Sequence, residues 1–329
     1  MMAVHDQYAN HALDSWLTEE DAGGMSRLAL LLTTSLAPIA WGTTYLVTTE
    51  LLPAGHPLLA GLLRALPAGL IAVALGRARP RGGWWLKSLV LGALNIGAFF
   101  PLLFMAAERL PGGVAAAVAG AQPLIILGMG MLVLHERVRP VTAAAAVVGA
   151  GGVALVVLGP AAHLDALGVI SALGGVTATA AGIILTKRWG RPKDVGPIAY
   201  AGWQLTAGGL VLLPLTVLIE GAPPQLTGEA VSGYVWLGTV GGLLAYTLWF
   251  RGIQRLPVMA PGLLALLSPV VAALLGATFA GETVTTVQAV GLVLVLVALV
   301  CGQLAALVPR RRTAAATTTT EPILASGRR

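Results

Sequence analysis

RLPGGVAAAVAGAQPLIILGMGMLVLHE, residues 109–136, returns 146 residues later as RLPVMAPGLLALLSPVVAALLGATFAGE, residues 255–282. Arg109-Leu110-Pro111 aligns with Arg255-Leu256-Pro257, Ala119 with Ala265, Pro123 with Pro269, Gly130 with Gly276 and Glu136 with Glu282, seven identities in 28 positions. Apolar sequence that repeats over this length reads as an internal duplication. Each copy is apolar from its first proline to just before its glutamate, about the 20 residues a helix needs to cross roughly 30 Å of hydrocarbon. Mid-way, a polar residue precedes proline: Gln122-Pro123 in one copy, Ser268-Pro269 in the other. A helical proline cannot donate to the carbonyl four residues earlier and crowds it, which here means Ala119 and Ala265. Interrupted helices at matching positions of two repeats point to a transport site, because a carbonyl freed in lipid needs another helix, a water or a ligand. For either proline alone, a packed kink is the plainer reading.

The composition agrees with a membrane protein. Hydrophobic residues make up 57% of the 329 and charged residues 10%, whereas soluble domains carry about 25% charge. Long unbroken apolar runs exclude a barrel, whose strands are short and alternating. Cys301 is the single cysteine, which excludes an intrachain disulfide and disfavours a cysteine metal site. No metal cluster, phosphate loop, nucleotide-binding domain or nucleophile–base pair is visible, so neither a cofactor nor ATP-driven pumping within this chain is expected. Residues 1–27 are acidic and lack the basic start of a secretory signal, so they read as a retained cytoplasmic tail. Residues 309–329, with Thr317–Thr320, read as a disordered cytoplasmic tail.

Ten spans are expected, at about 28–48, 57–76, 84–107, 111–134, 141–158, 166–186, 197–219, 230–250, 258–279 and 285–308. With both termini cytoplasmic, 18 of the 20 Lys and Arg residues fall on the inner side, as the positive-inside rule requires. Arg109 is the outer exception and Arg64 lies within a span. The net charge of +6 therefore reflects loops beside anionic headgroups rather than a nucleic-acid partner. Five spans per half invert the second half relative to the first. Leu91-Gly92 matches Leu237-Gly238 at the 146 shift, while upstream Gly42, Pro57 and Gly69-Leu70 match Gly182, Pro197 and Gly209-Leu210 at a shift of 140. Six extra residues in the loop 221–229 would account for the change. The expected fold is an all-α integral membrane protein of ten transmembrane helices, built as two inverted five-helix repeats over 28–158 and 166–308.

Several segments carry a resemblance to a known family. Ala40-Trp41-Gly42-Thr43, Leu63-Arg64-Ala65 and the two proline-to-glutamate stretches resemble EamA-type permeases of the drug/metabolite transporter superfamily over the full membrane region. Thr48-Thr49-Glu50-Leu51-Leu52-Pro53, Leu63–Gly69, Leu94-Asn95-Ile96-Gly97 and Arg109–Val114 are more similar still to the PecM-like branch, associated with pigment export. The resemblance implies export of small metabolites, amino-acid derivatives or drugs across a bacterial cytoplasmic membrane by alternating access. The implied partners are a small-molecule substrate and the lipid bilayer, and a homodimer is left open. A non-transporting membrane sensor or an intramembrane enzyme is the alternative. A sensor usually has a folded extramembrane module, and an enzyme needs ionisable groups converging within the bilayer.

Polar and aromatic residues inside spans are the site candidates. Thr34, Pro38, Trp41, Tyr45 and Thr48 share one helix face, facing a cavity or another helix, with Tyr45 alternatively in the interfacial belt. Gly238, Gly242, Tyr246 and Trp249 form a similar stripe: the glycines suit close packing, Trp249 the inner aromatic belt and Tyr246 the cavity. Arg64 lies roughly 10 Å inside, seven residues from Pro57 at about 1.5 Å each. It either holds a substrate anion through its planar fork or, as a structural residue, snorkels outward or binds helix-end carbonyls, with Glu50 as a further partner. Its repeat mate is Gln204, which with Tyr200 and Trp203 forms another candidate face. Asn95 and Phe99, four apart, join Gln122 and Ser268 in the set. Glu136 and Glu282 end their helices against the dipole and read as structural charges, with Arg137 or Arg139 answering Glu136.

Overall fold

The computed structural model describes residues 26–109, 120–136, 138–157, 165–279 and 285–307. Every regular element among them is helical: α1 (Arg27–Leu51), α2 (Pro57–Gly76), α3 (Trp84–Gly92), a first π-helix (Ala93–Gly97), α4 (Phe99–Arg109), α5 (Gln122–Val133), α6 (Pro140–Val157), α7 (Ala166–Trp189), α8 (Pro197–Ile219), α9 (Gly228–Trp236), a second π-helix (Leu237–Leu244), α10 (Ala245–Arg255), α11 (Met259–Leu264), α12 (Leu267–Phe279) and α13 (Thr286–Leu307). Eight stretches are long and apolar enough to cross a membrane: α1, α2, Trp84–Leu103, α7, α8, Gly228–Arg255, Met259–Phe279 and Thr286–Ala305. Shorter apolar helices, Gln122–Val133 and Pro140–Leu155, stand where the fourth and fifth spans are expected. The tails, residues 110–119 and Glu282 lie outside the described residues.

Local chemistry sets the helix ends. Ser26, Asp165 and Thr227 cap their helices by accepting from Ala29, Gly168 and Ala230 N–H groups. Pro57 and Pro197 open α2 and α8, where a missing N–H costs nothing and the fixed φ already suits a helix. α8 is the longer of the two, 23 residues against 20 for α2.

The core runs down the α2–α8 contact, where small residues bring the backbones together. A Cβ added at Gly69 would stand 2.4 Å from the Thr206 backbone nitrogen. Around this pair, α4 and α5 pack on α7, α10 and α12 pack on α1, and α6 lies along α13. The outer faces carry exposed apolar side chains such as Leu132 and Leu218, a surface that suits lipid and would be an aggregation hazard in water. Because α2 and α8 have no room to separate locally, Gly69→Val should destabilise the fold by about 1–3 kcal/mol as overpacking does. A lower melting temperature in detergent checks this, and an unchanged one would show that the contact can open.

Both proline-centred interruptions are present, with different chemistry from the expectation. Gly120 and Ala121 form a turn, and Pro123 sits in the first turn of α5. The ninth span breaks at Ala265-Leu266, between α11 and α12. The Ala265 carbonyl is not freed by Pro269: it accepts from the Ser268 N–H at 3.1 Å. A tight turn thus satisfies in place the group expected to need a ligand. Ala119 lies outside the described residues.

Candidate functional site

The third and eighth spans each widen into a π-helix at mid-length. A π turn adds a residue without breaking the helix, opens the regular hydrogen-bond ladder and recurs at functional sites. Polar chemistry gathers at both. In the first, buried Asn95 donates through Nδ2 to Oε1 of buried Gln204 on α8, at 3.0 Å. In the second, the Gly241 carbonyl accepts from buried Arg64 of α2, through Nε at 3.3 Å and Nη2 at 3.1 Å, and from the Trp41 indole N–H at 3.0 Å.

The two contacts correspond across the halves. Gly241 lies 146 residues after Asn95 and Gln204 lies 140 after Arg64, the two shifts at which the sequence identities recur. Thus α2 reaches the π-helix of the eighth span as α8 reaches that of the third. The electrostatics differ: one contact is a neutral amide pair, the other a cation on a carbonyl.

Arg64 is held on several sides. Its Nη1 reaches Thr44 Oγ1 at 3.5 Å, and its guanidinium carbon lies 5.8 Å from the Phe100 ring centroid and 5.9 Å from that of Tyr246. Glu50 is exposed at the end of α1, where it accepts from Thr49, so the carbonyl-binding alternative describes Arg64 better than a pairing with Glu50. Trp41, Tyr246 and Trp249 form an aromatic cluster, Trp41 lying 5.2 Å from Tyr246 and 5.1 Å from Trp249 between centroids. Trp249 is 4% exposed, which places it inside the bundle and not in the interfacial belt. Gly242 lies where a Cβ would stand 2.5 Å from the Arg64 carbonyl, the close approach that seats α2 against the second π-helix.

The remaining candidates separate. Gln122 donates to Thr179 Oγ1 of α7 at 3.2 Å. Half-buried Ser268 lies at the start of α12, its carbonyl pressed against Gly42 of α1. Thr34 and Pro38 are buried whereas Thr48 is exposed, so the stripe on α1 ends before Thr48, and the Tyr45 side chain lies outside the described residues. Phe99 packs beside Gly175 of α7; its neighbour Phe100 is the ring that meets Arg64. Trp203 gives its indole N–H to the Ala78 carbonyl at 2.9 Å, tying α8 to the connection after α2. Glu136 is half-buried and Lys187 of α7 lies in its field. Arg139 does not answer Glu136: its guanidinium donates to the Ala305 carbonyl, and Arg137 lies outside the described residues. Thr44, Phe100, Thr179 and Gly241 escaped the sequence reading, and only the cluster Gly238-Thr239-Val240-Gly241-Gly242 hinted at irregular backbone.

Comparison with known proteins gives a consistent picture. The sequence model of the EamA-like transporter family matches residues 28–158 and again 166–301. The chain is 45% identical over 276 residues to Protein PecM of Dickeya dadantii, covering 84% of this chain and 93% of that one. It is 29% identical over 274 residues to the uncharacterized inner membrane transporter YedA of Escherichia coli K12, covering 80% and 87%. A solved crystal structure shares the fold, with a TM-score of 0.73 at 23% identity over 85% of this chain and 98% of that chain.

Proposed function

The chain belongs to the EamA-like transporter family, in the PecM-like branch of the drug/metabolite transporter superfamily, and on that premise we propose that it exports small metabolites, amino-acid derivatives, pigment-like compounds or drugs by alternating access. It is a multi-pass transporter of the bacterial inner membrane. In this reading ten helices form two inverted five-helix units over 28–158 and 166–308, both termini are cytoplasmic, and the path runs between the units.

The observation that carries the reading is the pair of corresponding contacts, Asn95–Gln204 and Arg64–Gly241, at the two π-helices. Polar groups at corresponding positions of two repeats are where transporters built this way commonly bind their substrates. The two separate family matches and the side-sorted basic residues support the same arrangement. Around these contacts the interior offers one guanidinium, amides and aromatic faces. That chemistry suits a planar or aromatic solute with an acceptor group, since aromatic rings supply stacking and the guanidinium a paired donor.

Reconstituted vesicles loaded with candidate metabolites test the proposal, with and without a pH gradient. Absence of flux for amino acids, pigment precursors and drugs alike, in folded protein, would remove it. Tyr246→Ala, beside Arg64, or Gln122→Ala, in the separate contact with Thr179, should lower flux several-fold, about 1 kcal/mol of lost contact, with membrane abundance unchanged. Collapse of abundance would make these two packing residues.

A further inference from the structure

Away from the two π-helices, three helix ends converge: the last turn of α7, the first turn of α8 and the last turn of α10. Lys187 of α7 donates through Nζ to the Gln254 carbonyl, at 3.3 Å, and to that of Leu256. Arg191, in the α7–α8 connection, donates through Nε to Gln254 Oε1 at 3.1 Å. This uses the acceptor of the Gln254 side chain and leaves its NH₂.

What remains at this junction is an excess of donors. The Tyr200 hydroxyl, the Thr186 hydroxyl, Gln254 Nε2 and Arg251 Nε are buried and form no hydrogen bond among the described residues. Tyr200 is 1% exposed and Thr186 fully buried. The Tyr200 hydroxyl faces Thr186 and Gln254 within interaction range, short of a formed bond. The cations here also face one another: burial, and then the like charges of Arg255 and Arg251, push the Arg191 guanidinium below its ordinary value. Buried polar groups without partners are costly and rare in folded proteins. The hydroxyls of Tyr200 and Thr186 can accept as well as donate, and the Glu136 carboxylate acts on Lys187, yet the N–H groups of Gln254 and Arg251 among these cations still need acceptors, which an anion with several oxygens supplies.

We propose that Tyr200, Thr186, Gln254 and Arg251, with Arg191 and Lys187 around them, form an oxyanion site at the end of the bundle that bears the basic α7–α8 connection, taking a carboxylate or a phosphate group. Its role as a first contact for exported solutes rests on the exporter reading; the binding chemistry does not. The oxyanion has two sources, a soluble metabolite or an anionic lipid headgroup at the membrane interface.

Trp84, whose ring lies 5.9 Å from that of Tyr200, reports on the site. The full chain in phosphatidylcholine nanodiscs, titrated with benzoate and with inorganic phosphate against chloride at fixed ionic strength, should show a saturable change in tryptophan fluorescence. Tyr200→Phe or Arg251→Gln should weaken it at least about tenfold, the effect of one charge-assisted bond. Thr186→Val serves as the second variant if either of those fails gel filtration. A response to phosphatidylglycerol discs alone, lost in the same variants, assigns the site to lipid. No response to either anion or to phosphatidylglycerol overturns the site, as does a response that survives the substitutions. Flux without binding removes the site and leaves the exporter; binding without flux does the reverse.

Discussion

Lysine in place of Arg64 should cut export by about tenfold or more, a loss of roughly 1.4 kcal/mol or greater, while the protein still reaches the membrane. The guanidinium meets the Gly241 carbonyl with two N–H groups and lies between the Phe100 and Tyr246 rings. An ammonium keeps the charge and can make one of those bonds, but it has no planar face and no fork. Bonds from a charged group are worth about 1.5–3 kcal/mol each, so the second N–H and the ring contact together account for the loss. Trp41 offers an internal comparison, because it is a third donor to the same oxygen. A carbonyl has two lone pairs, so three donors share them and Trp41→Phe should cost less than Arg64→Lys. A double-mutant cycle on melting temperature and flux checks both claims. Export unchanged in the lysine variant would leave Arg64 as a buried cation with no part in the path.

How much of this could be read from the sequence follows from what each signal measures. The ends of α2 and α8 were legible because Pro57 and Pro197 mark first turns, and hydropathy set the length that follows. Both helix interruptions were legible because proline removes a donor wherever it sits. That a turn would satisfy the Ala265 carbonyl was not, since this depends on Ser268 N–H swinging back. The π-helices were invisible for a deeper reason. Helical period shows only where polar and apolar residues recur, and each of these segments has a single polar side chain, Asn95 in one and Thr239 in the other, too few to reveal an extra residue. The consequence falls on the third span. A regular α register pairs Asn95 with Phe99, four residues on, whereas the π turn over Ala93–Gly97 adds a residue, and the ring that meets Arg64 is that of Phe100. Trp249 is ambiguous in sequence for a related reason, because an aromatic near the end of a span suits the interface and the interior alike until its neighbours are known. Arg64 itself was legible as a residue that must find a partner, though not that the partner would be a π-helix carbonyl in the other half of the chain.

Alanine at Asn95 should destabilise the protein by about 1–3 kcal/mol, the cost of stranding a buried polar group, and abolish most export. Asn95 Nδ2 donates to Gln204 Oε1, and Gln204 Nε2 already has no partner among the described residues. Removing Asn95 therefore leaves a whole amide, 1% exposed, in a low-dielectric interior. Adding Gln204→Leu removes that stranded amide at similar volume, and replacing both partners by apolar groups can be nearly neutral. The melting temperature of Asn95→Ala/Gln204→Leu should accordingly return most of the way to that of the parent. Flux should not return with it, because the neutral pair is one of the two corresponding contacts proposed to line the path, and leucine offers a solute no hydrogen bond. The informative comparison is between the two readouts. If flux recovers in step with stability, the pair only holds α8 against the first π-helix, and recognition then rests on Arg64 and the aromatic cluster of Trp41, Tyr246 and Trp249. If stability recovers alone, the first π-helix carries solute chemistry as well as packing, and the two halves contribute different groups, an amide from one and a guanidinium from the other, to one path.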